Sequence, residues 1–373
     1  MNNKKNSGGI FGGIIAGIIM IIGGICLLWW NEGRTIKTQQ GINEAEKNMI
    51  QVKSDSIDEK NEGKLIATNG DLDLSNAEEL IDETFGVHVK SPIMKRTVEM
   101  YQWDETCETD NDNKEICTYK KVWSDSMIDS SEFQSGHTNP SSMLYDSKTY
   151  IAEGVKVGEF ILPRTLIEKL STDVEKNTTA LLEEYVEKVE GYEVKGKYIT
   201  NMTDEENPKI GDLRISFSYN DASSVSVLAV QTANTFGEYT SSVGTTIFRI
   251  KEGIHTGKDI VIDMTNENKL FKWLLRLGGT LLIMIGIGAL LSPITTLANF
   301  VPIFGNVVSF ATGLISFVLG LAISLVVIAL AWFRYRPILS IVLIVIVVGL
   351  VVFLRKYQSS KAKIAKDVKP QEE

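Results

Sequence analysis

Apolar residues in this chain are gathered into a few long runs. One, Ile10 to Trp30, lies near the start; residues 31–272 are mostly polar; three further runs, Leu277–Leu291, Val307–Trp332 and Ile338–Leu354, fill most of the last quarter. The first run, IFGGIIAGIIMIIGGICLLWW, has 21 residues and no charge, which at about 1.5 Å per residue matches the ~30 Å hydrocarbon core of a bilayer. A cleaved signal peptide is the competing reading, since Lys4 and Lys5 precede the run. Its length and its terminal Trp29-Trp30 pair favour a spanning signal anchor. The pattern therefore predicts a multi-pass α-helical membrane protein with four spans, one plus three, and a large extramembrane domain between them.

An even number of spans puts both termini on one side. Lys4 and Lys5 at the start, with Arg355, Lys356, Lys361, Lys363, Lys366 and Lys369 at the end, place that side in the cytoplasm by the positive-inside rule. Arg34, Lys37, Arg334 and Arg336 then flank spans on the opposite side, against the rule. The expected layout is a cytoplasmic tail (1–9), a first span (10–30), an acidic lumenal or extracytoplasmic domain (31–272), a three-helix bundle (273–354) and a basic cytoplasmic tail (355–373). Within the bundle, SPITTLANFVPIFGN (292–306) is uncharged and broken by Pro293, Pro302 and Gly305. It is expected to be either a re-entrant or interfacial segment or a buried connection. Glycines 278, 279, 286, 288, 313 and 320 would let helices approach closely.

After the first span, TIKTQQGINEAEKNMIQV has helical composition and is expected to extend the helix, with the chain turning at Asn61-Glu62-Gly63. Strand patterns then dominate: Lys64–Leu74, Val87–Asp104, Ile116–Met127, Thr149–Leu162, Leu213–Tyr219, Val225–Gln231 and Thr245–Ile250. In Leu213–Tyr219 the odd positions are apolar, predicting one buried face and one wetted by Arg214, Ser216 and Ser218. Asn220-Asp221 marks a turn between two strands. RTLIEKL and TTALLEEYVEKVE, between Arg164 and Glu190, have helical spacing, with Thr178 a candidate cap. The domain is expected to be α+β and mainly antiparallel.

Charge sharpens this division. Residues 31–272 carry 27 Lys and Arg against 44 Asp and Glu, a net of −17. Nucleic-acid binding needs a basic face, so none is expected; the basic C-tail is read either as a solvated topology signal or as a contact with anionic lipid. Three cysteines are too few for a disulfide framework. Cys26 lies in the first span as a packing residue. Cys107 and Cys117 bracket TDNDN, and pairing about Asp112 sets Tyr101 opposite Trp123 and Trp103 opposite Lys121, a hairpin in which the two thiols either close a disulfide or stay free. Asn177 and Asn201 match the N-glycosylation acceptor pattern; Asn139 is excluded by Pro140.

The phosphate loop and the HExxH, GxSxG and CxxC signatures are absent, His88, His137 and His255 have no ligand spacing, and Glu105 to Glu115 lacks the glycine of a calcium loop. No catalytic set, metal or cofactor is expected. Residues 277–332 contain no charge, and Arg276 is expected to snorkel at the membrane edge, arguing against a proton- or ion-coupled transporter.

Several local patterns occur together: NEGR (31–34), NEGK (61–64), EMYQW (99–103), GHTNPS (136–141), GDLRISFSY (211–219) and WFRYRP (332–337). Together they resemble the transmembrane protein 43 family, in the same order and over nearly the whole chain. The resemblance implies a four-span protein with cytoplasmic termini and a lumenal domain, found in animals at the endoplasmic reticulum and inner nuclear membrane. There the family associates with emerin and lamins and organises membrane protein complexes. The Cys107/Cys117 hairpin departs from it, and the lamin role carries over only to a cell with a nuclear envelope; in a bacterium the plasma membrane is expected. The sequence thus points to a non-enzymatic membrane scaffold whose partners are the bilayer, other membrane proteins or further copies of itself. A channel or lipid-handling protein built on the C-terminal helices is the alternative, and an ectoenzyme the third reading.

Overall fold

The computed structural model describes residues 6–109, 115–134, 136–172, 189–298, 302–335 and 337. They fall into two compact units, one of residues 1–43, 242–245 and 262–373 and one of residues 44–241 and 246–261.

Three helices in the described residues are long and apolar enough to cross a membrane: α1 (Asn6–Asn48), α3 (Gly257–Ala298) and α4 (Pro302–Tyr335). A short helix α2 (Arg164–Ile167) precedes the last two in sequence. The described residues thus support three spans, not four; the expected fourth, Ile338–Leu354, lies outside them, as does the second half of the predicted helical region, including Asn177 and Thr178. As its Gln, Glu, Ala and Lys content predicts, α1 continues well past the apolar run. Helix α3 opens with a reciprocal cap: the Thr256 N–H donates to Asp259 Oδ2 (2.8 Å) and the Asp259 N–H to Thr256 Oγ1 (3.3 Å).

The segment 292–306 corrects the expected helix boundaries. Residues up to Ala298 continue α3, and Pro302 already belongs to α4. Pro293 fails to end the helix because the carbonyl its missing N–H would have bonded, that of Ala289, accepts the Ser292 hydroxyl at 2.8 Å.

The other unit is β-rich. One sheet runs β14-β13-β2-β8-β9, with β1 on β2 and β17 on β13; the strands are Thr235–Gly237, Ser224–Thr232, Leu65–Asp73, Lys156–Val157, Phe160–Ile161, Ile50–Gln51 and Arg249–Glu252. The second runs β10-β11-β12-β5-β6, with β7 on β5: Glu193–Lys195, Tyr198–Thr200, Leu213–Tyr219, Ile93–Thr109, Glu115–Ser124 and Lys148–Ile151. Two hairpin-like pairs, β3/β4 (Leu80–Asp82, Val87–Val89) and β15/β16 (Tyr239–Thr240, Thr246–Ile247), complete it. All pairings are antiparallel except β1 with β2. One core serves both sheets: Ile66, Val157 and Val227 come from the first, Val98, Ile215 and Phe217 from the second, all fully buried.

Asn220-Asp221 does join two strands, β12 and β13, which lie in different sheets since β12 pairs with β5 and β13 with β2. One expectation is corrected here. Ser216 and Ser218 are not wetted but buried, at 3 % and 2 % exposure. Alternation identifies the core face of a strand but does not by itself make the other face wet: β12 lies inside its sheet, between β11 and β5, and only Arg214 of that row keeps partial exposure.

Candidate functional site

Two groups of residues stand out, one in each unit. The first lies among the membrane helices. Glycines bring α1 against α3: a Cβ on Gly17 would lie 2.7 Å from the Gly286 carbonyl oxygen, and one on Gly24 2.7 Å from that of Gly279. In the same antiparallel register, Asn31 Nδ2 donates to the Lys272 carbonyl (3.0 Å) and Asn268 Nδ2 to that of Thr35 (3.0 Å). From Gly17 through Gly24 to Asn31 the contacts advance by seven residues and retreat by seven on α3, the spacing of a tightly packed helix pair. Of the glycines singled out in the sequence, Gly279, Gly286 and Gly320 sit at such close approaches, whereas Gly278 and Gly313 face open space.

Beside this seam lies a buried ion pair. Glu32 is 2 % and Arg276 9 % exposed, and Arg276 Nε donates to Glu32 Oε1 at 2.6 Å. The other carboxylate oxygen of Glu32 accepts the Trp332 indole N–H at 2.8 Å, and the guanidinium lies over Trp273 and Trp332, 4.9 and 5.7 Å from their ring centres. The expectation that Arg276 snorkels is therefore overturned: the cation is neutralised in place by an acid 244 residues earlier in the chain. One end of a cavity of about 510 Å³ between α3 and α4 is formed by Arg276, Trp273 and Trp332, and the rest is lined mainly by apolar side chains such as Leu321, Leu325 and Ile328. Cys26 is exposed on α1 instead of packed.

The second group is the β5/β6 hairpin. Its register is the one expected, with Tyr101 opposite Trp123, Trp103 opposite Lys121 and Cys107 opposite Cys117. The two cysteines form a disulfide. Glu105 brings a carboxylate near both sulfurs, yet thiols joined to one another are not available as thiolate ligands. Tyr119 stacks on His137 at 3.8 Å, donates its hydroxyl to Glu105 and accepts the Gln134 N–H, while His137 meets Trp103 edge-on at 4.6 Å. Burial, and then Glu105, raise the Tyr119 phenol above its ordinary pKa.

Asn139, noticed in the sequence only as an excluded glycosylation site, closes the edge of β5 where β12 ends. Its Oδ1 accepts the Trp103 N–H (2.7 Å) and its Nδ2 donates to the Trp103 carbonyl (2.9 Å). A side-chain amide here replaces a neighbouring strand, and only its place in GHTNPS hinted at the role. Asn201 is also structural in part: its Oδ1 accepts the Leu213 N–H at 2.7 Å, leaving Nδ2, the atom a glycan would need. Strand β6 has a neighbour, β5, on one side only among the described residues, and Ile116 on it is half exposed.

A family profile described as Transmembrane protein 43 matches residues 100–337. The chain is 28 % identical over 362 residues to Transmembrane protein 43 of Homo sapiens, covering 91 % of this chain and 88 % of that protein. It is 28 % identical over 355 residues to the Pongo abelii protein of that name, covering 89 % and 87 %. With the Drosophila melanogaster Transmembrane protein 43 homolog it shares 25 % over 352 residues, 87 % and 89 % of the two chains. No solved structure matches.

Proposed function

Because the chain belongs to the transmembrane protein 43 family, we propose that it is a non-enzymatic membrane scaffold, holding its β-rich domain at a membrane surface to bind other membrane proteins or further copies of itself. The observation that carries this reading is the β5/β6 hairpin: a ten-residue strand, β6, offers an edge beside the exposed Ile116, on a hairpin stiffened by the disulfide. Such an edge can accept a partner strand through backbone hydrogen bonds. Lys120 and Lys121 on the same strand guard against indiscriminate pairing.

The proposed arrangement has a fourth span at Ile338–Leu354, both tails in the cytoplasm and the β-rich domain in the lumen or outside the cell. In a cell with a nuclear envelope it would act at the endoplasmic reticulum or inner nuclear membrane, with emerin- or lamin-type partners; in a bacterium, at the plasma membrane. A photocrosslinker placed at Thr118 on β6 should give discrete adducts in native membranes, and the full chain in mild detergent should elute with a stoichiometric partner or as an oligomer. A monomer without adducts that conducts ions after reconstitution would overturn the proposal. The cavity between α3 and α4 favours lipid handling as the second reading, since its mainly apolar wall ends in one cation, a shape suited to an acyl chain with a polar end.

A further inference from the structure

A second cavity in the membrane-helix unit, of about 770 Å³, is more polar and has a different character. Arg34 and Lys37 of α1 and Arg334 at the end of α4 line it together with Trp29, Trp30 and Tyr335. Gly33 lets the elements converge: a Cβ there would fall 2.7 Å from Tyr335 Cζ, so a larger residue would displace that ring. Trp29 and Tyr335 lie with ring centres 6.1 Å apart.

Three cations in one cavity repel each other unless an anion joins them. Among the described residues, none of the three pairs with a carboxylate. Arg34 Nε is shielded from solvent and has no hydrogen-bond partner, and Nη2 finds only a long contact of 3.4 Å with Thr35 Oγ1. Leaving a guanidinium N–H buried and unused costs free energy, so this donor awaits an acceptor.

Depth in the membrane identifies the acceptor. The apolar run of α1 ends at Trp30, and that of α4 at Phe333, so the cations follow the last apolar residues of two spans while the indoles and the phenol mark the interfacial layer. We propose that this cleft binds a phosphate group, supplied by a phospholipid headgroup, with Arg34, Lys37 and Arg334 around its oxygens and Trp29 and Tyr335 beside the glycerol region. The lipid would then bridge α1 and α4 at the headgroup level. This proposal does not depend on the scaffold reading.

The test uses the full-length chain in nanodiscs of phosphatidylcholine mixed with phosphatidylglycerol, with retained lipid counted by native mass spectrometry after transfer to detergent. The native protein should retain phospholipid; Arg34→Gln and Arg334→Gln should each lower its affinity about fivefold, and the pair about 25-fold, the scale of one headgroup-level cation apiece. Arg34→Lys and Lys37→Arg keep the charge and should retain more lipid than the glutamine variants, which separates loss of the site from misfolding; Lys121→Gln on β6 should change nothing. Inorganic phosphate added as competitor distinguishes the sources. If it displaces the lipid and binds alone with the same dependence on Arg34 and Arg334, the phosphate chemistry stands and the headgroup is overturned as its source. Lipid retention unchanged in Arg34→Gln/Arg334→Gln would overturn the site altogether.

Discussion

Replacing Glu32 with leucine removes the acceptor for two donors at once: Arg276 Nε at 2.6 Å and the Trp332 indole N–H at 2.8 Å. Both members of the ion pair are almost wholly buried, so solvent cannot take the place of the lost carboxylate, and an uncompensated guanidinium is left between helices. The expected cost is about 3–5 kcal/mol, which lowers the folded-to-unfolded ratio of this unit by a factor of about 10²–10³ or more. Equilibrium unfolding of the purified full chain in mixed micelles, followed by tryptophan fluorescence, reads this directly, because Trp273 and Trp332 adjoin the guanidinium. The double variant Glu32→Leu/Arg276→Met replaces both charges with apolar groups and should recover most of the loss, since a buried pair contributes little net stability over a well-packed apolar pair. A single variant as stable as the native chain, or a double variant as unstable as the single one, would refute the reasoning.

Three further outcomes are expected. Gly24→Leu should destabilise the helix pair by about 1–3 kcal/mol through overpacking, while Gly23→Leu, whose new Cβ meets nothing within 4 Å, should not; micelle unfolding midpoints compare them. The peptide spanning Cys107 and Cys117 should, without reduction, lack two thiol hydrogens by mass spectrometry, and reduction should weaken the hairpin by about 3 kcal/mol for a loop of this length; two freely alkylated thiols in native material would count against it. Burial and then Tyr145 push Tyr192 up from 10.0 to about 12. A pKa raised on folding gives stability that is complete below 10.0 and is lost as pH rises towards about 12, so Tyr192→Phe should flatten the alkaline limb of the β-rich unit's thermal midpoint.

The features legible in the sequence are those set by neighbours in the chain. Leu213–Tyr219 matches β12 at both ends because strict alternation leaves one register for a strand with a core face. The Tyr101–Trp123 register is the one that pairing the sequence symmetrically about Asp112 predicts. Short strands such as β3, β10 and β11 carry no such pattern, because three residues cannot establish a period; β11 is held by the longer β12, while β3 and β10 pair with strands as short as themselves. The membrane-unit contacts were hidden for a different reason. Arg276 and Glu32 each look like a charge at the end of an apolar run, and only folding shows that they meet. Arg34 and Lys37, awkward for the positive-inside rule, become informative once Arg334 is placed beside them. Pro293 misled because its effect depends on whether the Ala289 carbonyl finds another donor, and Ser292 supplies one.

The pairing of α1 with α3 also has a timetable. At ribosomal rates of roughly 5–20 residues per second, the 244 residues separating Glu32 from Arg276 take on the order of 10–50 s to make. Throughout that interval the first helix is already inserted, while Asn31 and Glu32 have no counterpart in the nascent chain. Until α3 emerges, the carboxylate of Glu32 must therefore find water, a lipid headgroup or another protein in place of Arg276.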